Sequence, residues 1–142
     1  MNLKAIHNVY FIGIGGIGMS AIARYFSVNG KQVFGYDKTP SPITQKLERI
    51  GVKIHFDDAV KNIALPCLDK ESTLVVYTPA VPKEHQELNY FKNNGFEVLK
   101  RAEILGEITK NTFCLAVAGT HGKTTTSSIL GHIMQPSLAT SF

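Results

Sequence analysis

A short apolar run, Asn8-Val9-Tyr10-Phe11-Ile12, leads without a spacer into Gly13-Ile14-Gly15-Gly16-Ile17-Gly18. Met19, Ile22, Ala23 and Phe26 then recur at i, i+3, i+4 and i+7, and Gly30 supplies a stop. A compact apolar run ending in glycine reads as a buried strand, and the following period reads as a helix. A strand joined to a helix by G-x-G-x-x-G leaves few architectures open. Glycine permits the tight turn, lets a backbone approach a pyrophosphate closely, and allows the helix to pack tightly on the strand. The helix N-terminus then offers unpaired N–H groups and a partial positive charge to an anion. Asp37 ends the next expected strand, 19 residues beyond Gly18, where a carboxylate can accept hydrogen bonds from a ribose. The loop alone does not separate a nicotinamide dinucleotide from a nucleotide-linked sugar.

The same alternation continues along the chain. Strands are expected at Gln32–Tyr36, Val52–Phe56, Thr73–Tyr77, Phe96–Leu99 and Phe113–Ala118. Ser41-Pro42 reads as an N-cap followed by proline at the first helical position, with Ile43, Leu47 and Ile50 inward and Gly51 at the end. Leu88, Phe91 and Gly95 mark a helix after the Pro79 and Pro82 loop, and Ile104, Leu105 and Ile108 another. Strands alternating with helices imply an α/β fold with a mainly parallel sheet covered on both faces. The polar stretch Thr109-Lys110-Asn111-Thr112 is the expected boundary between a first domain, residues 1–110, and the start of a second, residues 111–142.

Composition excludes several other classes. At 142 residues, 44% hydrophobic and 18% charged, the chain has ordinary globular make-up. Cys67 and Cys114 stand 47 positions apart, which suits neither a disulfide scaffold nor a zinc module. The net charge is +4, but the longest basic run is Lys100-Arg101, too short for a nucleic-acid arm or a polybasic membrane patch. Residues 5–23 lack Asp, Glu, Lys and Arg, and Ala21-Ile22-Ala23 mimics a signal-cleavage site. Glycines interrupt that stretch, whereas a spanning helix needs about 20 mainly apolar residues and a signal peptide an unbroken apolar centre. The expectation is a cytoplasmic protein with no membrane insertion and no nucleic-acid partner.

A second phosphate loop follows the last expected strand: Ala118-Gly119-Thr120-His121-Gly122-Lys123-Thr124-Thr125, ahead of helical spacing over Thr126–Met134. Gly-Lys-Thr in that position is the phosphate loop of nucleoside triphosphatases. Lys123 would reach the β- and γ-phosphates, the Thr124 hydroxyl would hold Mg²⁺, and N–H groups from Gly119 to Lys123 would cradle the anion. The early glycine of G-x-x-x-x-G-K-[ST] is replaced by Val117. His121 by itself is more often a polar filler than a catalyst. Two phosphate loops in one chain suit ATP-driven modification of a nucleotide-linked substrate. A plain dehydrogenase has no use for the second loop, nor a plain ATPase for the first.

Phe11-Ile12-Gly13-Ile14-Gly15-Gly16-Ile17-Gly18-Met19-Ser20 and Ala116-Val117-Ala118-Gly119-Thr120-His121-Gly122-Lys123-Thr124-Thr125-Thr126 together resemble the Mur ligase family, whose ATP loop also lacks the early glycine. Val75-Val76-Tyr77-Thr78-Pro79-Ala80-Val81 and Arg101-Ala102-Glu103-Ile104-Leu105 are similar to further segments of that family. The resemblance implies a Rossmann-like first domain that binds a UDP-sugar, then the first strand, phosphate loop and helix of a central ATP-binding domain. It implies ATP and Mg²⁺ as cofactors, and UDP-N-acetylmuramate and L-alanine as substrates. The sugar's lactyl carboxylate would be phosphorylated to an acyl phosphate, which the amine of L-alanine attacks, in peptidoglycan precursor synthesis. By the same resemblance the UDP-sugar lies against Gly13, Gly15, Gly16, Ile17, Gly18, Met19, Asp37, Thr78, Pro79, Ala80 and Arg101. ATP lies on Gly119, Thr120, His121, Gly122, Lys123, Thr124 and Thr125, with Lys123 catalytic and Thr124 on Mg²⁺.

The family's tripeptide-recycling member is the nearest alternative. It carries a Gly-Ile-Cys-Gly pattern where this chain has Gly13-Ile14-Gly15-Gly16. A nicotinamide-dinucleotide module and a binding-only module are the alternatives from other classes. Family members continue for two more domains, which would hold the remaining Mg²⁺ ligands, the adenine pocket and the alanine site. The 142 residues alone are therefore expected to form no amide bond. The strand 113–118 would then be covered by a partner chain through self-association, packed back on the first domain, or frayed.

Overall fold

The computed structural model describes residues 1–135. β1 (Asn8–Ile12) is buried along its whole length, with both edges paired and both faces covered. It lies parallel to β2 (Gln32–Tyr36), with Asn8 opposite Gln32, and to β4 (Thr73–Tyr77), with Asn8 opposite Thr73. β3 (Lys53–His55) extends the sheet beyond β2, and β5 (Glu97–Lys100) beyond β4. The order β3-β2-β1-β4-β5 is wholly parallel. From β1 the chain winds outward one way to β3 and then the other way to β5. The reversal falls between β1 and β4. In open parallel sheets, ligands lodge outside the carboxyl ends of the strands at such a reversal.

Period-two side-chain alternation splits the core into two layers. Val9 and Phe11 of β1 join Val33, Leu74 and Val76 beneath α1 (Ile17–Val28), α2 (Pro42–Arg49) and α4 (Arg101–Lys110). Tyr10 and Ile12 point the other way, with Phe34, Val75 and Cys67, against α3 (Gln86–Asn93) and short 3-10 turns at Val60–Asn62 and Leu65–Leu68. The buried Asn8 amide is satisfied by donating to the Pro66 carbonyl at 2.8 Å. α2 begins with a reciprocal cap: Ser41 Oγ accepts the Thr44 N–H, and Thr44 Oγ1 accepts the Ser41 N–H. Ser41→Ala should cost about 1 kcal/mol of stability, read from the midpoint of urea unfolding.

Three expectations differ from the structure. Phe113–Ala118 is not a strand, because among the described residues no segment runs alongside to supply a hydrogen-bond ladder. Self-association through that strand thus has no strand edge behind it. Ile50 is 47% exposed rather than inward, and Leu105, in the helix that its spacing marked, is exposed to the same extent. Ile50 is the C-cap of α2, where the helix unwinds, and Thr44 and Leu47 form the inner face instead. In α4 the buried ridge is Ile104 and Ile108, and a neighbour one residue along turns about 100° away from it. The third strand is also shorter than Val52–Phe56, as suits a sheet edge.

The chain divides into two units, one ending at Ile108 and one starting at Thr109. The whole sheet belongs to the first unit. The second contains α5 (Lys123–Met134), which leaves Ile129 and Ile133 largely exposed. Among the described residues, no helix is long and apolar enough to cross a membrane, and no cluster of three His, Cys, Asp or Glu residues is placed to hold a metal.

Candidate functional site

The first glycine loop leaves β1 at the sheet's topological reversal. Its anchor is Ile14, which is fully buried in the core while the glycines around it stay accessible. The N–H groups of Gly13 and Ile14 donate to the Tyr36 carbonyl at 2.8 and 3.0 Å, so the loop is pinned to the end of β2. Gly13 adopts φ +86, and a Cβ there would lie 2.6 Å from Thr78 Cγ2. Both the backbone conformation and the contact with the β4 loop therefore require glycine. α1 then starts with no side-chain cap on Gly16, and the Ser20 N–H closes the first helical bond to Gly16 O at 2.8 Å. The N–H groups of Ile17, Gly18 and Met19 have no acceptor within the helix. They face outward together at the positive end of its dipole.

The residues expected around this loop converge in part. Asp37 accepts the Gly15 N–H at 2.7 Å, so its carboxylate shapes the loop directly. The Arg101 guanidinium, at the start of α4, reaches over Gly18; a Cβ on Gly18 would meet its Nη1 at 2.5 Å. Thr78 touches Gly13, and the Thr78 carbonyl accepts the Val81 N–H to form a turn that leaves Pro79 and Ala80 exposed. Met19 begins the inward face of α1, as its spacing with Ile22, Ala23 and Phe26 implies. Its side chain is buried in the core beneath α1, which leaves only its backbone on the loop side. Ile17 is almost fully exposed at the first helical position.

The second loop lies in the other unit. Gly122, with φ +73, turns the chain into α5 and offers no side-chain cap. Lys123 folds back to donate from Nζ to the Gly119 carbonyl at 2.6 Å, which sets its ammonium across the mouth of the loop. Thr120 Oγ1 and His121 Nδ1 lie 3.1 Å apart. Ser128 donates to the Thr124 carbonyl at 2.9 Å, a bond that leaves the Thr124 side chain at the helix start. An uncapped helix N-terminus, a lysine across the loop and a threonine hydroxyl are the donor set that a triphosphate with Mg²⁺ needs.

A polar cluster, buried at Tyr10 and Glu87 and partly exposed at His55, was not legible as a site. Tyr10 Oη lies 2.8 Å from Glu87 Oε2 and 2.6 Å from His55 Nε2, and His55 Nε2 lies 3.1 Å from Glu87 Oε1. Glu87 is fully buried, and that burial pushes its carboxyl up to about 8 despite the Tyr10 hydroxyl. Burial also lowers His55 and His85 and raises Tyr10. One signal could have found it: Glu87 is four residues from Phe91, so helical spacing sets a carboxylate on the buried face of α3.

An open parallel sheet with a phosphate-type loop at its reversal, followed by a lysine-bearing phosphate-type loop, is the architecture of the α/β nucleotide-binding class. Residues 8–112 match the family model described as "Mur ligase family, catalytic domain", and the chain belongs to the Mur ligase family. It is 66% identical over 139 residues to the UDP-N-acetylmuramate–L-alanine ligase of Flavobacterium psychrophilum, covering 96% of this chain and 30% of that protein. The Flavobacterium johnsoniae ligase of the same name is 61% identical over 137 residues, with the same coverage. Among solved structures, UDP-N-acetylmuramate-alanine ligase MurC from Thermotoga maritima superposes with a TM-score of 0.78 at 31% identity, covering 90% of this chain and 29% of that one. A murein peptide ligase from Psychrobacter arcticus gives 0.77 at 28% identity, with 91% and 26% covered. The chain spans about 30% of the length of these curated relatives.

Proposed function

We propose that residues 1–110 form the UDP-N-acetylmuramate-binding part, and residues 111–142 the start of the ATP-binding part, of a ligase that joins L-alanine to the sugar's carboxylate. The observation that carries this reading is the Arg101 guanidinium set over Gly18 at the uncapped start of α1. A guanidinium beside N–H groups that have no acceptor within the helix favours a doubly charged pyrophosphate over a neutral ligand. Asp37, Thr78, Pro79 and Ala80 line the approach to that point, where a ribose and base would extend. Curated relatives at 51–66% identity carry the alanine-ligase name, and among solved structures the alanine ligase stands at 31% against 27–28% for the murein peptide ligases. That contrast favours alanine addition over peptide recycling.

The second loop supplies the energy-coupling half of the reading. Gly119, Thr120, His121, Gly122 and Thr125 would enclose the phosphates of ATP, while Lys123 would neutralise charge on them and Thr124 would ligate Mg²⁺. ATP so held supplies the phosphoryl group that activates a carboxylate toward an amine. The chain's own part is to hold the phosphates by backbone N–H groups and to keep Lys123 across the loop. The reading places the enzyme in the cytoplasm, where peptidoglycan precursors are assembled.

Calorimetric titration of the chain with UDP-N-acetylmuramate, and separately with NADH, tests the first site. Heat from the UDP-sugar alone supports the ligase reading. Heat from NADH alone overturns it in favour of a dinucleotide module.

A further inference from the structure

Two hydrogen bonds join the partly buried Tyr10–His55–Glu87 cluster to the first glycine loop. The His55 carbonyl accepts the Asp37 N–H at 3.2 Å, and the Asp37 carboxylate accepts the Gly15 N–H at 2.7 Å. We propose that Tyr10, His55 and Glu87 share one proton whose presence sets the position of the Gly15 loop, making all three positioning residues for whatever binds there.

One chain of donors also places a hydrogen in the 2.6 Å gap between Tyr10 Oη and His55 Nε2. His55 Nδ1 lies 2.9 Å from the Asp57 carbonyl, which only accepts, so Nδ1 carries a hydrogen. His55 Nε2 is then a lone pair in the neutral ring. With Glu87 protonated, its hydroxyl donates to Tyr10 Oη, Tyr10 donates to His55 Nε2, and His55 donates to Asp57, so every proton is used once. With Glu87 ionised, Tyr10 donates to the carboxylate instead. The Nε2 lone pair then faces Tyr10 Oη at 2.6 Å with no hydrogen between them. Two facing lone pairs at that distance, beside the fully buried Tyr10 and Glu87, repel. Loss of the one proton therefore loosens His55 from β1 and α3, and with it the end of β3 that holds Asp37.

The neighbours do not offset this. Asp57 and Asp58 on the β3 loop both oppose ionisation of Glu87, and Asp58 is itself held by the Gln86 N–H and side chain. His85 on α3 is nearly fully buried, and its Nδ1 accepts the Leu88 N–H. Burial keeps that ring neutral, so it adds no positive charge. Tyr36 on β2 packs edge-on against His85 at 4.6 Å, and Cys67, behind Tyr10, is raised to about 12 by burial. Each therefore stays protonated through neutral pH. A carboxyl raised above its ordinary range is the neutral acid below its midpoint and the carboxylate above it. The closed arrangement thus holds at acidic and neutral pH, and the loosened one at alkaline pH.

Only the consequence for binding rests on the ligase reading. The coupling itself is testable without ligand. Amide signals of Gly15 and Asp37, followed by NMR from pH 5 to 9.5, should move in one step near pH 8. The Glu87 carboxyl carbon should move with the same midpoint. In Glu87→Gln, which keeps shape but holds no titratable proton, the Gly15 step should vanish. A Gly15 step that persists in Glu87→Gln, or a flat Gly15 signal in the unsubstituted chain, overturns the proposal. Should Glu87→Gln fail to fold, the two midpoints in the unsubstituted chain decide: coincidence supports the coupling, and separation by more than about one pH unit overturns it. A failure to bind UDP-N-acetylmuramate alongside an intact Gly15 step would sink the site reading and leave the proton coupling standing.

Discussion

Lys123→Ala in the full-length enzyme is expected to lower kcat by about 10³-fold while UDP-N-acetylmuramate binds with little change in Kd. The asymmetry follows from where the residue sits. Its ammonium bridges the second loop by donating to Gly119 O at 2.6 Å, in a unit separate from the first glycine loop. A preorganised cation aimed at developing phosphoryl charge contributes mainly in the transition state, and removing one such donor costs about 10²–10³-fold or more. The phosphate cradle loses more than a charge, because the Gly119 carbonyl loses its internal partner too. Steady-state kinetics of alanine- and ATP-dependent product formation, paired with calorimetry for the UDP-sugar, reads both halves. Equal losses in turnover and sugar affinity would mean that the two phosphate sites have been divided wrongly.

Much of the fold was open to reading because its signals are local. Glycine after an apolar run, Ser-Pro ahead of a helix and the spacing of Met19, Ile22, Ala23 and Phe26 each follow from backbone sterics or helical periodicity within a few residues. What failed needed partners at a distance. Phe113–Ala118 has the composition of a buried strand, but a strand exists only through a neighbour that accepts its hydrogen bonds, and the described residues provide none. The candidate site divides in the same way. Gly13, Gly15 and Gly18 were visible as a motif, whereas the positions of Asp37 and Arg101 against them depend on how β2 and α4 pack. Tyr10, His55 and Glu87 come from β1, β3 and α3, and no spacing in the chain announces that these three meet.

Gly15→Leu should do the reverse of the lysine substitution, lowering UDP-N-acetylmuramate affinity by about 10–100-fold with the second loop untouched. A Cβ at Gly15 would lie 2.8 Å from Asp37 Oδ2 and 3.1 Å from Thr44 Cγ2. Thr44 cannot yield, because it is fully buried and locked into the cap of α2 through Ser41. Asp37 can swing aside only by giving up the Gly15 N–H, the bond that shapes the loop. The loop itself must therefore move outward, into the space before the uncapped end of α1. Overpacking of this kind costs about 1–3 kcal/mol, which sets the range for the loss of affinity. Gly106→Ala is the matched control, since nothing lies within 4 Å of a Cβ there. If Gly15→Leu binds the UDP-sugar as tightly as the control does, the pyrophosphate does not sit on this loop. Arg101 over Gly18 would then be an ordinary surface contact.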